Sequence, residues 1–423
     1  MEADSDDEID SRDSQQSSDA EAGDHSPFSE EEYGLDETLQ PFNSTASSIL
    51  PPNRKPFAED CKTYDIVPLV AAIHACHIHS LDATKNMRWV FTGGEDGFIR
   101  KYDFFSSMGG KTLLTQNQKH TQVESVQKAG VILSYWENEE IPETLPVTVK
   151  PEKPDGIAED DVTQNVQEPP LPELKMSPVY SLAVQSEAVW LLSGLESGAI
   201  NLFTVRHEEG RCHHVMRKHK SPVSVLKITN DETGFVSGSW DKTIMHWDLN
   251  TGQIAREYPG HSSQIMYEES DNTITHSGDI LLTTSIDGNC LVWDKRSGNL
   301  IPPRKLPLPE KTPPWCLSAC WSADGNKVYC GRRNGTVDEW DFASGKHTRS
   351  FKMPSNSGPV SCVASMPNGR HIVCASTDNI RLWNVGNDES EAIKSIVPFL
   401  IVPGHHGGSI SQICILLYII YMC

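Results

Sequence analysis

The chain of 423 residues contains a motif that returns at a nearly fixed interval. The best-formed copy runs from Ser237 to Gly252, SGSWDKTIMHWDLNTG, and places a small-residue turn between two apolar runs. Six copies align on one aromatic position, which is occupied by Tyr102, Phe203, Trp247, Trp293, Trp340 and Trp383. From Phe203 onward these anchors are 44, 46, 47 and 43 residues apart. The repeat indicates a fold assembled from one supersecondary unit per copy.

A period in the low to mid forties that ends in Trp-Asp is typical of WD-repeat β-propeller blades. The sequence therefore predicts an all-β fold, a seven-bladed WD-repeat β-propeller over residues 61–414. GHHGGSISQIC at 404–414 resembles the start of a seventh blade, but the anchor expected near position 428 lies beyond Cys423. The seventh blade is thus expected to be incomplete, with 415–423 as an atypical apolar tail from a truncated or mis-spliced end. A six-bladed ring is the alternative.

The first strand-like run of the chain, YDIVPLV, precedes the first repeat. In a propeller, a strand before the first full blade commonly completes the last blade and removes its exposed edge. We therefore expect residues 64–70 to close the ring. VILSYW at 131–136 is a candidate for the outer strand of blade one.

Negative charge is concentrated in two segments. Of a formal net charge of −22, residues 1–60 contribute 17 acidic and 3 basic side chains, and residues 137–173 contribute 11 acidic and 2 basic ones. Both segments have too little apolar surface to offset the entropy of ordering, which predicts a disordered acidic tail at 1–60 and a disordered, proline-rich insertion at 137–173. They either solubilise the chain or engage a basic surface of a partner. The nearly neutral remainder predicts no sequence-specific binding to nucleic acid.

Cysteine usage and the N-terminus indicate the compartment. Eleven cysteines are present, and Cys290, Cys330 and Cys374 lie within strand patterns as small apolar residues, as in a reducing nuclear or cytosolic protein. MEADSDDEID has no features of a secretory signal. The terminal run ILLYIIYMC is too short for a membrane span, which needs about 20 residues.

HACHIHS at 74–80 brings four potential metal ligands together in sequence: His74, Cys76, His77 and His79. On a strand, side chains alternate between faces, so His77 and His79 share one face and the other two share the opposite face. The four ligands do not converge, and this stretch is interpreted as the first strand of blade one. No metal site is predicted.

Two repeats contain a Ser or Thr, a His, an Asp and a Trp at matching offsets. These residues are His219, Ser237, Asp241 and Trp247 in blade three, and His261, Thr283, Asp287 and Trp293 in blade four. A hydrolytic triad needs such residue types, but a catalytic site occurs once, whereas a stabilising network recurs in each blade. We therefore interpret both sets as buried chains in which Asp fixes His, His meets the hydroxyl, and the hydroxyl meets the Trp indole. No catalytic residue, enzymatic activity or cofactor is predicted.

The turns between the second and third strands of the blades should lie at one end of the propeller. They carry Glu95, Trp240, Ile286, Arg332, Arg333 and Thr377. An exposed Trp near two Arg residues has the composition of an interaction hot spot, and we assign partner binding to Glu95, Trp240, Arg332 and Arg333. The alternative is that Trp240 packs on the neighbouring loop and the arginines are solvated.

Several features occur together in this chain: the acidic Ser-rich leader, NRKPFAEDCKTYDIVPLVAAIHACHIHS, the acidic insertion after blade one, and SGSWDKTIMHWDLNTG with TSIDGNCLVWDKRSG. In this combination the chain resembles one family, the fungal WD-repeat subunit of the SAGA transcription coactivator complex. The resemblance implies a nuclear, non-enzymatic subunit that contacts TATA-box-binding protein and other subunits, with no membrane association. The alternative is a WD-repeat adaptor in another complex, such as a substrate receptor of a ubiquitin ligase, although the sequence shows no helical adaptor-binding motif.

Overall fold

The computed structural model describes residues 61–121, 126–142, 174–270, 279–297, 301–308, 315–386, 399–404 and 410–415. The predicted acidic tail, most of the predicted insertion and nearly all of the predicted apolar tail lie outside these ranges. Within them, no helix is long and apolar enough to cross a lipid bilayer.

Six antiparallel sheets of four strands form the blades. Blade one contains β2 (Ile78–Ala83), β3 (Trp89–Gly94), β4 (Phe98–Asp103) and β6 (Val131–Glu137). Blade two contains β9 (Ser181–Val184), β10 (Trp190–Gly194), β11 (Ala199–Thr204) and β12 (Cys212–Arg217). Blade three contains β13 (Val223–Ile228), β14 (Gly234–Ser239), β15 (Ile244–Asp248) and β16 (Gln253–Glu257).

The other three blades follow the same up-and-down order. Blade four contains β17 (Ile265–Ser270), β18 (Ile280–Ser285), β19 (Cys290–Asp294) and β20 (Arg304–Leu306). Blade five contains β21 (Cys316–Trp321), β22 (Lys327–Arg332), β23 (Thr336–Asp341) and β24 (His347–Lys352). Blade six contains β25 (Val360–Ser365), β26 (His371–Ser376), β27 (Ile380–Asn384) and β28 (Phe399–Val402).

Short elements surround blade one. Strand β1 (Val70–Ala71) pairs in parallel with β5 (Lys128–Ala129), and β7 (Glu139–Glu140) pairs antiparallel with β8 (Lys175–Met176). Two helices of six residues lie between β4 and β5: α1 (Phe104–Gly109) and α2 (Gln116–Thr121). The prediction that 131–136 supplies the outer strand of blade one is confirmed, since β6 pairs with β4.

The aromatic anchors hold neighbouring blades together. Each anchor lies on the third strand of its sheet and is at most 5% exposed. In blade three the ring of Trp247 stacks on Phe235, with centroids 5.8 Å apart, in a cluster that also contains residues of blade two. Burial of a large aromatic side chain contributes about 1.5–3 kcal/mol. The 43-to-47-residue period is thus the spacing between successive inter-blade contacts.

In five of the six described blades, the hairpin between the second and third strands contains a residue in the left-handed conformation. In blade three Lys242 has a φ of 74°, and glycine occupies the equivalent position in blades one, two, four and five. Only glycine adopts this conformation without a steric cost. The turn residues of the repeat therefore follow from backbone geometry.

The predicted number of blades is wrong: the described residues form six blades rather than seven. The proposed opening strand of a seventh blade lies partly outside the described residues, and 410–415 has no strand pairing. Instead, Ser411 Oγ donates to Ile78 O at 2.6 Å, and Ile413 N donates to Cys362 Sγ at 3.3 Å. This segment therefore contacts blade one through hydrogen bonds and blade six through a hydrogen bond and the packing of Ile413 and Ile415 on the cluster around Met366. It forms no strand ladder with either blade.

The predicted closing strand at 64–70 is also wrong. Tyr64 and Ile66 are not in a strand, but they pack on the apolar cluster around Met366 of blade six. Asn368 N donates to Tyr64 Oη at 3.2 Å. The segment reaches the expected blade through side-chain packing, while its only strand residues, Val70–Ala71, pair beside blade one.

The predicted insertion begins too early, because residues 137–142 belong to the fold. Asn138 is fully buried between blades one and two. Its Oδ1 accepts from Ser193 Oγ at 2.7 Å, and its backbone N–H donates to Gly97 O at 2.8 Å. Satisfied polar groups of this kind stabilise a segment whose composition alone indicates disorder.

We expect Phe235→Ala to lower the free energy of unfolding by about 3–5 kcal/mol, because it opens a cavity at the contact between blades two and three. Phe105 is 52% exposed and supplies the control, since Phe105→Ala should change the free energy by about 0.5 kcal/mol or less. Urea unfolding followed by tryptophan fluorescence measures both. Equal effects of the two substitutions would contradict this account of the inter-blade contact.

Candidate functional site

The structure brings the four predicted residues of blade three into one hydrogen-bonded chain. Trp247 Nε1 donates to Ser237 Oγ at 2.8 Å, and the same hydroxyl lies 2.8 Å from His219 Nε2. On the other side of the ring, His219 Nδ1 lies 3.1 Å from an Asp241 carboxylate oxygen and 2.9 Å from Thr243 Oγ1. One proton arrangement satisfies all these groups: Nδ1–H donates to Asp241, and Ser237 O–H donates to Nε2.

Asp241 is held in its ionised form. Its partial burial would raise the pKa of the carboxyl, but hydrogen bonds from His219, Thr243 and the Lys220 backbone N–H outweigh burial and lower the pKa well below the usual range. A fixed carboxylate then holds the His219 ring in one orientation. Ser237 is fully buried, so its hydroxyl is not presented to solvent. This geometry favours the interpretation of a packing network.

Blade four forms a related chain with one difference from the prediction. Trp293 Nε1 donates to Thr283 Oγ1 at 2.8 Å, and His261 Nε2 lies 2.7 Å from that hydroxyl. His261 Nδ1, however, meets Ser285 Oγ at 2.9 Å, and Ser285 in turn donates to Asp287. The predicted direct contact between Asp287 and His261 is wrong, because the Ser285 hydroxyl stands between them.

The network needs both a hydroxyl at the fourth residue of the second strand and a Trp anchor. Thr92 and Ser193 hold that position in blades one and two, but the anchors there are Tyr102 and Phe203, which have no indole N–H. The fourth residue of the second strand carries the central hydroxyl in blades three and four, where it is Ser237 and Thr283. In blades five and six the same position is Cys330 and Cys374. The Trp340 indole of blade five donates instead to Pro307 O at 3.0 Å. The network therefore belongs to two blades and does not recur in every one, contrary to the sequence-based expectation.

The residues predicted to bind partners do not form one set. The residue after the second strand is Glu95, Trp240 and Arg333 in blades one, three and five, and in each case its backbone N–H donates to the residue before the first strand. Glu95 and Arg333 are exposed, and Trp240 is half-buried. These three share one position and one end of their blades.

Arg332 is excluded from this surface, and its assignment to partner binding is wrong. It is the last residue of β22, is fully buried, and forms an ion pair with the buried Asp338. Its guanidinium lies over the ring of Trp340, at 5.6 Å from the centroid. Adjacent strand residues point to opposite faces, so Arg332 enters the core whereas Arg333 leaves it.

Sequence reasoning missed the exposed partner of Arg333. The guanidinium of Arg333 lies 4.6 Å from the centroid of the Trp315 ring, and Trp315 is 43% exposed. Trp315 also has a φ of 55°, in the left-handed region that bulky residues rarely adopt. Such strain clusters at functional positions. The signal in the sequence is a Trp directly before the first strand of a blade.

Trp240 packs against a neighbouring blade rather than standing free. Its ring meets Tyr180 edge-on at 5.4 Å, and Tyr180 stacks on His79 at 5.3 Å. An aromatic row thus crosses blades one to three at the same end as Trp315. The contact with Tyr180 agrees with the alternative prediction, in which Trp240 packs on the neighbouring loop.

The histidines at 74–80 have separate surroundings. His74 Nε2 lies 3.1 Å from Tyr102 Oη, and burial lowers the pKa of His74. His79 belongs to the aromatic row, and His77 is exposed. These three histidine side chains therefore lie in different environments.

The sheets, anchors and end-loop geometry define a β-propeller of the WD-repeat class. Residues 64–269 and 266–423 match the family described as SPT8 beta propeller. The SAGA complex subunit Spt8 of Schizosaccharomyces pombe is 37% identical over 84% of this chain and 74% of that protein. The SAGA complex subunit SPT8 of Saccharomyces cerevisiae is 35% identical over 84% of this chain and 68% of that protein. The chain belongs to the Spt8 family.

A more distant similarity concerns the repeats. The guanine nucleotide-binding protein subunit beta of Solanum tuberosum is 30% identical over 41% of this chain and 46% of that protein. This partial match extends over less than half of either protein, in contrast to the Spt8 relatives.

We expect Ser237→Ala to destabilise the protein by about 2–5 kcal/mol, because it leaves two buried groups, the Trp247 N–H and His219 Nε2, without their partner, at about 1–3 kcal/mol each. The exposed Ser344→Ala is the control and should be nearly neutral. Chemical denaturation measures both. A Ser237→Ala protein as stable as the wild type would show that this hydrogen-bond network does not stabilise the fold.

The network of blade four should make stability depend on pH. Burial lowers the pKa of His261 to about 4, whereas an unfolded histidine titrates near pH 6.5. Between these values the unfolded chain binds a proton that the folded chain does not, so the free energy of unfolding falls as the pH is lowered through this window.

His261→Gln removes this titration and should reduce the loss of stability between pH 7.5 and pH 4.5 by about 2–3 kcal/mol relative to the wild type. Urea unfolding of both proteins at the two pH values measures the difference. All other histidines are the same in both proteins, so their contributions to the pH dependence of stability cancel in the comparison. Identical losses would show that His261 is not held neutral by burial.

Proposed function

We propose that the protein is a non-enzymatic scaffold subunit of a SAGA-like transcription coactivator complex in the nucleus, where it contacts TATA-box-binding protein. The observation that carries the proposal is membership in the Spt8 family, whose two relatives named above are SAGA complex subunits and match 84% of this chain. A rigid body of six sheets supports such a role, because short loops on a stable scaffold present side chains in fixed positions.

The end of the blades that carries Trp315 and Arg333 is the proposed partner-binding surface. Trp and Arg are enriched among the residues that dominate binding energy, particularly where a large ring is held rigidly. Here the guanidinium covers part of an exposed ring, and the backbone of Trp315 is in the left-handed region. Glu95 lies at the equivalent position in blade one, so the same end offers both charges. An acidic or aromatic partner side chain can pair with Arg333 while an apolar one covers Trp315.

The test combines Trp315→Ala with Arg333→Glu in the full chain. We expect at least a tenfold loss of affinity for purified TATA-box-binding protein or for the co-purifying coactivator subunits, because both hot-spot side chains are removed. Biolayer interferometry measures the first, and affinity purification from nuclear extract with mass spectrometry measures the second.

The control is Tyr135→Ala with Lys305→Glu. It removes an exposed aromatic and inverts an exposed positive charge on the outer strands of blades one and four. The control therefore changes the same kinds of side chain as the test variant, but at positions outside the proposed partner-binding surface. Equal binding by both double variants would overturn the assignment of this surface, and purification without any coactivator subunit would overturn the proposed function.

A further inference from the structure

Three cysteine side chains meet in the core between blades four and five. Cys290 begins β19, Cys316 begins β21, and Cys330 lies within β22. All three are at most 1% exposed, and their sulfur atoms lie within 4.8 Å of one another. Cys290 Sγ is 3.3 Å from Cys330 Sγ and 4.0 Å from Cys316 Sγ. In the described part of the chain, no other group of His, Cys, Asp or Glu has this convergence.

The distances suit a shared metal ion better than a covalent bond. A disulfide requires an S–S distance of about 2.05 Å, well below the closest approach here. A thiolate lies about 2.3 Å from a bound zinc ion, which places sulfurs on a common ion about 3.8–4.0 Å apart. Two of the observed S–S distances, 3.3 and 4.0 Å, lie close to that value, and the third is no longer than 4.8 Å.

A buried guanidinium with unused donors adjoins the triangle. Arg332 is fully buried, and its Nε pairs with Asp338, but its Nη1 and Nη2 have no hydrogen-bond partner among the described residues. Cys316 is the direct cross-strand partner of Arg332, and the guanidinium interacts electrostatically with all three thiols. Unsatisfied buried N–H groups are costly, and thiolate sulfurs would accept from them.

We propose that Cys290, Cys316 and Cys330 form a three-thiolate site for a soft, thiophilic metal ion, with Arg332 as the residue whose unpartnered Nη donors position the thiolates. As each sulfur–metal bond forms, the thiol releases its proton to solvent, and no electron is transferred. Zn²⁺ and Cu(I) are the cations that thiolate ligands select. The site would join two neighbouring blades through a metal, in addition to their apolar contact. This inference is independent of the proposed function.

Metal retention by the wild-type protein is the first measurement. The full chain is purified without air or chelators, and its metal content is determined by mass spectrometry, with about one ion per chain expected. A chelator selective for Cu(I) and one selective for Zn²⁺ then show which ion leaves. Either ion supports the site, because both depend on the same thiolate coordination.

Removal of the ion should also lower the melting temperature of the wild-type protein, and its return should restore it. A ligand that binds only the folded state stabilises that state by mass action. This measurement needs no substitution, so it stands even where a core variant folds poorly. An unchanged melting temperature on removal and return would overturn the proposal.

Cys330→Ala and Cys374→Ala form a matched pair. Both residues are fully buried at the fourth position of the second strand, in blades five and six, so the substitutions remove the same group from equivalent places. Titration with Cd²⁺, followed by sulfur-to-metal charge-transfer absorption, should saturate at one equivalent in the wild type and in Cys374→Ala. Cys330→Ala should bind at least tenfold more weakly.

Two results would overturn the site. One is equal Cd²⁺ binding by Cys330→Ala and Cys374→Ala, which would assign the metal to other cysteines. The other is a wild-type protein that retains no metal, takes up no Cd²⁺, and has all three thiols free for alkylation after unfolding.

Discussion

The contact between a third-strand aromatic residue and the sheet of the preceding blade is the interaction on which the rest of the structure depends. A four-stranded sheet has two faces, and the short loops within a blade cannot cover either of them. Each blade therefore gains its buried surface from its neighbours, as in other repeat architectures. Trp247 and Trp340 show the two ways of satisfying the indole: one donates to a hydroxyl of its own sheet and the other to the backbone carbonyl of Pro307. The ring packing is common to both, and the polar detail varies.

Features that repeat along the chain could be predicted from the sequence. The anchors, hairpin turns and second-strand hydroxyls recur at fixed offsets, and the six sheets and the chain from Trp247 to Asp241 follow from them. Features that occur in only one blade were harder to predict. The burial of Arg332 follows from strand alternation by one residue, and Ser285 came between His261 and Asp287 because the turn of blade four lets its hydroxyl reach both.

The predicted blade count and the predicted start of the acidic insertion were wrong for a different reason. Composition indicates whether a segment can bury its own apolar surface. It does not indicate which hydrogen-bond or packing partners a neighbouring sheet provides. Asn138 lies in an acidic stretch but finds buried partners on blade two, so the chain stays ordered there. Tyr64 reaches blade six through packing, without the strand that its pattern indicates. The cysteine triangle was equally hidden, because its members are separated by 26 and 14 residues and meet only across two blades.

The left-handed backbone at Trp315 has a consequence for how this surface can change. Residues held in that region cost of order 1–3 kcal/mol when they are bulky, and glycine avoids most of the cost. Replacement of Trp315 by glycine would relieve strain and at the same time remove the indole that Arg333 covers. Under the proposed partner-binding role of this surface, stability and recognition make opposite demands on Trp315. Persistence of the tryptophan under selection for stability would therefore mark a protein that still uses it.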